Sequence, residues 1–156
     1  MAMSEADLWV RGIFHNLQNG GYKVTSEDTR DYNCLAWAAG ETDRVWNPNN
    51  LDDHWPDGVP REQTLPAFIA AYATVGYVEC DNCDLEHGYE KIAIYANQHG
   101  PQHAARQLGN GAWTSKLGTG WDIEHPSLDG VECDAYGKPV AYMQRPIRLQ
   151  AGIKPL

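Results

Sequence analysis

A chain of 156 residues, 42% hydrophobic and 21% charged, can bury one core without disulfide or metal staples. Its net charge of -9 argues against nucleic acid as a partner, since that needs a basic face to displace counterions, and against anionic membrane. No apolar run is long enough to span a bilayer, and the start of the chain has neither the basic residues nor the apolar stretch of a secretory leader, so a cytoplasmic location is expected.

Ser4-Glu5-Ala6-Asp7 reads as a capping box, and Leu8, Trp9, Ile13, Phe14 and Leu17 follow at helical spacing until Gly20-Gly21. Residues 22–24 suit a short strand. In Asp31-Tyr32-Asn33-Cys34-Leu35-Ala36-Trp37-Ala38-Ala39, Asp31 or Asn33 is a good N-cap for a short buried helix, which puts Cys34 in its first turn. Residues 40–61 carry Trp46, Pro48, Trp55, Pro56, Gly58 and Pro60 and cannot be regular structure. Two tryptophans pin this loop down, either as a wall of a cleft or as a simple cover.

Leu65, Phe68, Ile69, Tyr72 and Val75 mark an amphipathic helix closed by Gly76, with Pro66 tolerated in its first turn. The period then changes. Residues 89–96, 102–108, 112–117 and 139–145 read as strands, with Gly109-Asn110-Gly111 a tight hairpin between the second and third. Helices first and a meander after make an α+β domain over 1–156, its helical half at about 4–76 and its sheet half at about 89–146. The helices are expected on one side of the antiparallel sheet.

Cys34 is the candidate nucleophile, because unpaired N–H groups in a helix's first turn favour a thiolate. His103 opens the second strand and is the candidate general base, with His125 ranked behind it in a segment that reads as a loop or helix end. Small Ala105 beside His103 leaves room for a packed helix. Asn33 is a helix cap and, through its amide or backbone N–H with the Cys34 N–H, could serve at the same time as an oxyanion donor. Ser115 or Thr114 on the next strand could orient the imidazole, and Lys116 could depress the thiol pKa. Cys80 and Cys83, with Glu86, His87 and Cys133, make an incomplete zinc set, so neither metal nor cofactor is expected. No phosphate loop or dinucleotide fingerprint is present.

A cysteine in the first turn of a helix, followed by an antiparallel sheet bearing the histidine, resembles the papain-like thiol hydrolases, closest in size to the NlpC-type cell-wall peptidase and amidase branch. Ile92-Ala93-Ile94-Tyr95-Ala96-Asn97 and His103-Ala104 carry the likeness. The chain departs from that branch at Glu90-Lys91, where the family's histidine usually stands. Either His103 is the base with the register shifted by one strand, or the fold has lost its dyad and serves binding. The chain is also similar to a group of small bacterial proteins sharing Tyr-Asn-Cys-x-Ala-Trp-Ala and His-Ala-Ala-Arg, then Trp-Thr-Ser-Lys-Leu-Gly, a likeness that carries no activity.

The resemblance implies a peptidase, amidase or deamidase acting on a peptide or protein amide through Cys34 and His103. Asn33 and Ser115 would assist, and Trp37, Trp46, Trp55 and Trp113 would be the substrate-binding rings. The alternative is a non-catalytic interaction module (an immunity, inhibitor or phage-related protein) binding through an acidic surface and exposed tryptophans.

Overall fold

The structure, a computed structural model, describes residues 3–147. The outer ends of the 1–156 span, and the first two residues of the leader reading, lie outside the described residues. Helix α1 (Glu5–Ile13) begins where Ser4 accepts the Asp7 N–H at 3.1 Å. Its buried side is Ala6 and Val10, continued by Phe14 and by Leu17 on a 3-10 turn. Leu8, Trp9 and Ile13 are instead exposed, and Trp9 packs on Trp121 at 5.6 Å. The chain offers two apolar stripes here, and the one spaced mainly by four residues faces the sheet.

Asn33 caps α2 (Cys34–Ala39), and Gly40, at φ 89°, ends it in the left-handed region. Thr64 caps α3 (Leu65–Ala73), with Pro66 in the first turn as expected. The strands are β1 (Lys23–Val24), β2 (Val78–Cys80), β3 (Tyr89–Asn97), β4 (Gly100–Gln107), β5 (Trp113–Lys116), β6 (Asp122–His125) and β7 (Lys138–Pro146).

They form one antiparallel sheet of seven strands in the order β1-β6-β5-β4-β3-β7-β2. The meander β3 to β6 is closed by β7 returning beside β3. The expected hairpin after β4 is present, with Leu108 N–H donating to Ala112 O at 2.7 Å. Strands β2 and β6 carry too few apolar residues to announce themselves. Polar partners support β6: Asp122 accepts from Tyr32 at 2.7 Å.

The α+β class stands, but the helices are not on one side. α2 and α3 cover the face of Ile92, Ile94, Ala104 and Met143. α1 and its 3-10 turn cover the face of Ala93, Tyr95, Ala105, Trp113 and Ile123. A run such as Ile92-Ala93-Ile94-Tyr95, apolar at every position, is what a strand buried on both faces requires. Arg145 stitches one layer together, donating to Ala39 O at 3.3 Å and Val75 O at 2.8 Å, at the ends of α2 and α3. Its guanidinium lies 4.2 Å from the Tyr77 ring and pairs with Glu90. No helix among the described residues is long and apolar enough to cross a membrane.

Candidate functional site

Cys34 opens α2 and is buried, because Ala36 and Ala38 let that short helix lie directly on the sheet over Ala104. Asn33 Oδ1 accepts from Ala36 N–H at 3.2 Å and Trp46 N–H at 3.1 Å, and its Nδ2 donates to Trp46 O at 2.8 Å. The capping role therefore holds. The amide thus serves the cap and the loop together, and one Nδ2 hydrogen remains outside these bonds among the described residues. The same bonds dock the 46–49 segment against the start of α2.

A pocket of about 260 Å³ opens there, lined by Cys34, Trp46, Asn47, Asn49, Gln63, Phe68 and Gln102 among others. Part of the 40–61 loop is thus a cleft wall, and the rest is cover. Trp46 lines the pocket while stacked on Tyr72 at 5.7 Å. The other three tryptophans expected to bind substrate do not reach it. Trp37 donates to Thr114 Oγ1 at 3.3 Å under the Arg106 guanidinium, and Trp55 is core, 5.4 Å from Phe68. Trp113 lies on the other face of the sheet.

Burial pushes the Cys34 thiol up to about 11. The backbone N–H groups of Ala104, Leu35 and Cys34 and the charge of Lys116 oppose this, and they do not win. The thiolate expected at neutral pH is replaced by a thiol. Lys116 is itself buried, donating to Thr29 O at 2.9 Å and to Gly120 O, 5.2 Å from the Tyr32 ring.

His103 does not face α2, which corrects a further expectation. It pairs with Tyr95 and stacks on Tyr136 at 4.1 Å and 5°, on the side of Ala105, whereas α2 packs on the side of Ala104. No hydrogen bond joins thiol and imidazole among the described residues. The two nonetheless meet β4 at adjacent residues, since the N–H of Ala104 acts on the sulfur. β5 pairs with β4 only at Arg106 and Gln107, so the His103–Ala104 stretch of β4 has no β5 partner.

Ser115 stands beside His103 as expected, and His125 completes a buried relay. His103 Nε2 is 3.0 Å from Ser115 Oγ, which is 2.8 Å from His125 Nε2, and His125 Nδ1 is 2.8 Å from Ser127 O. Carbonyl Ser127 O can only accept, so His125 Nδ1 carries a proton and its Nε2, in the neutral ring, is bare. Ser115 then donates to His125 and accepts from His103 Nε2–H. The remaining nitrogen, His103 Nδ1, is left as a lone pair, fully buried and without a hydrogen-bond partner. Burial, reinforced by His125, pushes His103 down to about 3, and burial also lowers His125.

Cys80 Sγ contacts Asn82 O at 3.4 Å, and Glu86 is taken by buried Lys91 at 2.8 Å. No group of three or more His, Cys, Asp or Glu stands together for a metal among the described residues. Composition and spacing singled out neither Gln63 nor Gln102 for the pocket, nor Tyr136 for the imidazole.

A family model described as a domain of unknown function, DUF7689, matches residues 23–144. The chain belongs to this family. No curated protein and no solved structure matches it. The DUF7689 segment runs from β1 into β7, so it holds the pocket, Cys34 and the whole His103–Ser115–His125 relay, and leaves α1 outside.

Proposed function

We propose that this DUF7689 protein is a cysteine-dependent amide hydrolase or acyl-transfer enzyme on a papain-like layout, with Cys34 as nucleophile and His103 as general base. One observation carries the reading: His103 Nδ1 is a buried lone pair with no partner, one residue along β4 from the N–H that acts on the Cys34 sulfur. A neutral imidazole in that tautomer offers the lone pair that takes a thiol proton, and substrate binding must also bring its value of about 3 and the thiol's of about 11 towards each other. The imidazole lies on the Ala105 side of β4 and the thiol on the Ala104 side, so the reading requires the proton to pass at the His103–Ala104 stretch that β5 leaves unpaired.

In the reaction, Cys34 Sγ bonds to the carbonyl carbon while its proton passes to His103 Nδ1 and then to the departing nitrogen. Water, or a second nucleophile, then releases the acyl group from sulfur. Ser115 and His125 are positioning residues: they fix which nitrogen is bare. The second reading, a non-catalytic interaction module, is favoured by the missing thiol–imidazole hydrogen bond and the protonated thiol.

Acylation by p-nitrophenyl acetate, followed by intact mass and peptide mapping, separates the two. The enzyme reading predicts acetyl transfer to Cys34 at least about a hundredfold faster than to Cys80, Cys83 or Cys133, and a loss of similar size in His103→Ala. Acylation of Cys34 no faster than the other thiols, or unchanged in His103→Ala, overturns it in favour of the binding module.

A further inference from the structure

The pocket beside Cys34 is uncharged in a chain of net charge -9. Among the described residues no Asp, Glu, Lys, Arg or His lines it, and besides the thiol and the Trp46 indole its polar side chains are all carboxamides. Two of these are committed to the scaffold. Asn33 holds the helix start, and Gln63 bridges the Asn49 amide and Pro101 O, the latter at 2.8 Å. The close approach behind Gln63 depends on Gly100, where a Cβ would stand 2.3 Å from Gln63 O. The wall formed by Gln63, Pro101 and Gln102 is therefore set by backbone.

The other carboxamides keep atoms in reserve. Asn47 Nδ2 donates to no group and Gln102 Oε1 accepts from none among the described residues, both half-buried, while Asn49 is exposed. A neutral group that offers a carbonyl acceptor and N–H donors together satisfies both kinds. A carboxylate brings no donor and an ammonium no acceptor, and either would be desolvated with no opposite charge to meet it. A sugar would need a free ring face to stack on. Trp46 turns its face to Tyr72, and Phe68 lies against Trp55. At about 260 Å³ the space is below the ~300–1,000 Å³ usual for whole ligands. It fits one side chain entering end-on.

We infer that this pocket takes the primary carboxamide of a glutamine or asparagine side chain in a peptide, which makes the enzyme proposed above, on whose reading this rests, a side-chain deamidase. Cys34 Sγ bonds to the side-chain carbonyl carbon and the C–N bond breaks. The proton lost by the thiol ends on the leaving nitrogen, which departs as ammonia. Water then cleaves the thioester, giving a carboxylic acid and restoring the thiol. The net change is carboxamide plus water to carboxylic acid plus ammonia.

N-acetylglutamine N-methylamide tests this directly, because its side chain would release ammonia and its main chain methylamine or acetate. Wild type is expected to release ammonia with the matching –NH2 to –OH mass change, at least about tenfold faster than from propionamide. Gln102→Glu, which puts a charge in the pocket, should lower that rate at least about tenfold, with His103-dependent acylation by p-nitrophenyl acetate followed separately in wild type. Methylamine or acetate release overturns the side-chain class and leaves the enzyme reading standing. So does the absence of ammonia while that acylation persists. Equal or faster turnover of propionamide overturns the peptide source. If acylation no longer depends on His103, the underlying enzyme reading falls as well.

Discussion

Between pH 7 and pH 5 the folded state is expected to lose about 2 kcal/mol of stability through His103 alone. The imidazole is held neutral in the fold, with its protonation pushed down to about 3, while the unfolded chain takes up a proton near the model value of 6.5. Below 6.5 the unfolded state therefore binds more protons than the folded state, and stability falls as the pH drops towards 3. His125, also lowered by burial, acts in the same direction. Most carboxylates are still ionised in this window, so the loss is not general acid denaturation. Urea midpoints at pH 7, 6 and 5 would measure it, with His103→Gln flattening the slope whatever its stability at pH 7. A wild-type curve flat across the window would mean that His103 is not held neutral.

Replacing Trp46 by alanine is expected to cost about 4 kcal/mol and to abolish acylation of Cys34. Trp46 is 1% exposed, lies on Tyr72, meets Trp55 edge-on at 6.2 Å, and donates its indole N–H to Glu41 at 2.9 Å. Its backbone also holds Asn33 at both ends, so the cavity left behind would loosen the pocket wall and the start of α2 together. Trp46→Phe keeps a ring in the stack and loses the indole bond, an expected cost of about 1–2 kcal/mol, with acylation retained. Thermal and urea unfolding check both variants. If Trp46→Ala were as stable as wild type, the loop would be a detachable cover rather than a wall of the site.

Much of the candidate site is legible in the chain because its local signals agree. Asn33 before a small apolar run announces a capped helix, and the Gly-Asn-Gly hairpin brings Ser115 beside His103. Which side of the sheet receives each helix is not legible. His103, Ala104 and Ala105 are all fully buried, so alternation on β4 gives no contrast between faces. The expected room beside Ala105 is filled by the α1 layer, and α2 takes the side of Ala104. The helix α1 misleads in the same way, with one apolar stripe buried and another left in solvent. Tryptophans read as groove rings proved to be mostly core, since a long loop lacking regular structure can still be packed like an interior. Gln63 and Gln102 lie far apart in sequence and only the fold gathers them, so no spacing could have named them.

The central claim is that the Ser127–His125–Ser115 relay leaves His103 Nδ1 as an unprotonated base, and imidazole nitrogen-15 NMR at pH 7 reads this atom by atom. The account predicts a neutral His103 with its proton on Nε2, and His125 with its proton on Nδ1. In Ser115→Ala the His103 tautomer should no longer be fixed. A His103 protonated on Nδ1, or carrying both protons at pH 7, would contradict the account, because no lone pair would then remain to take the Cys34 proton.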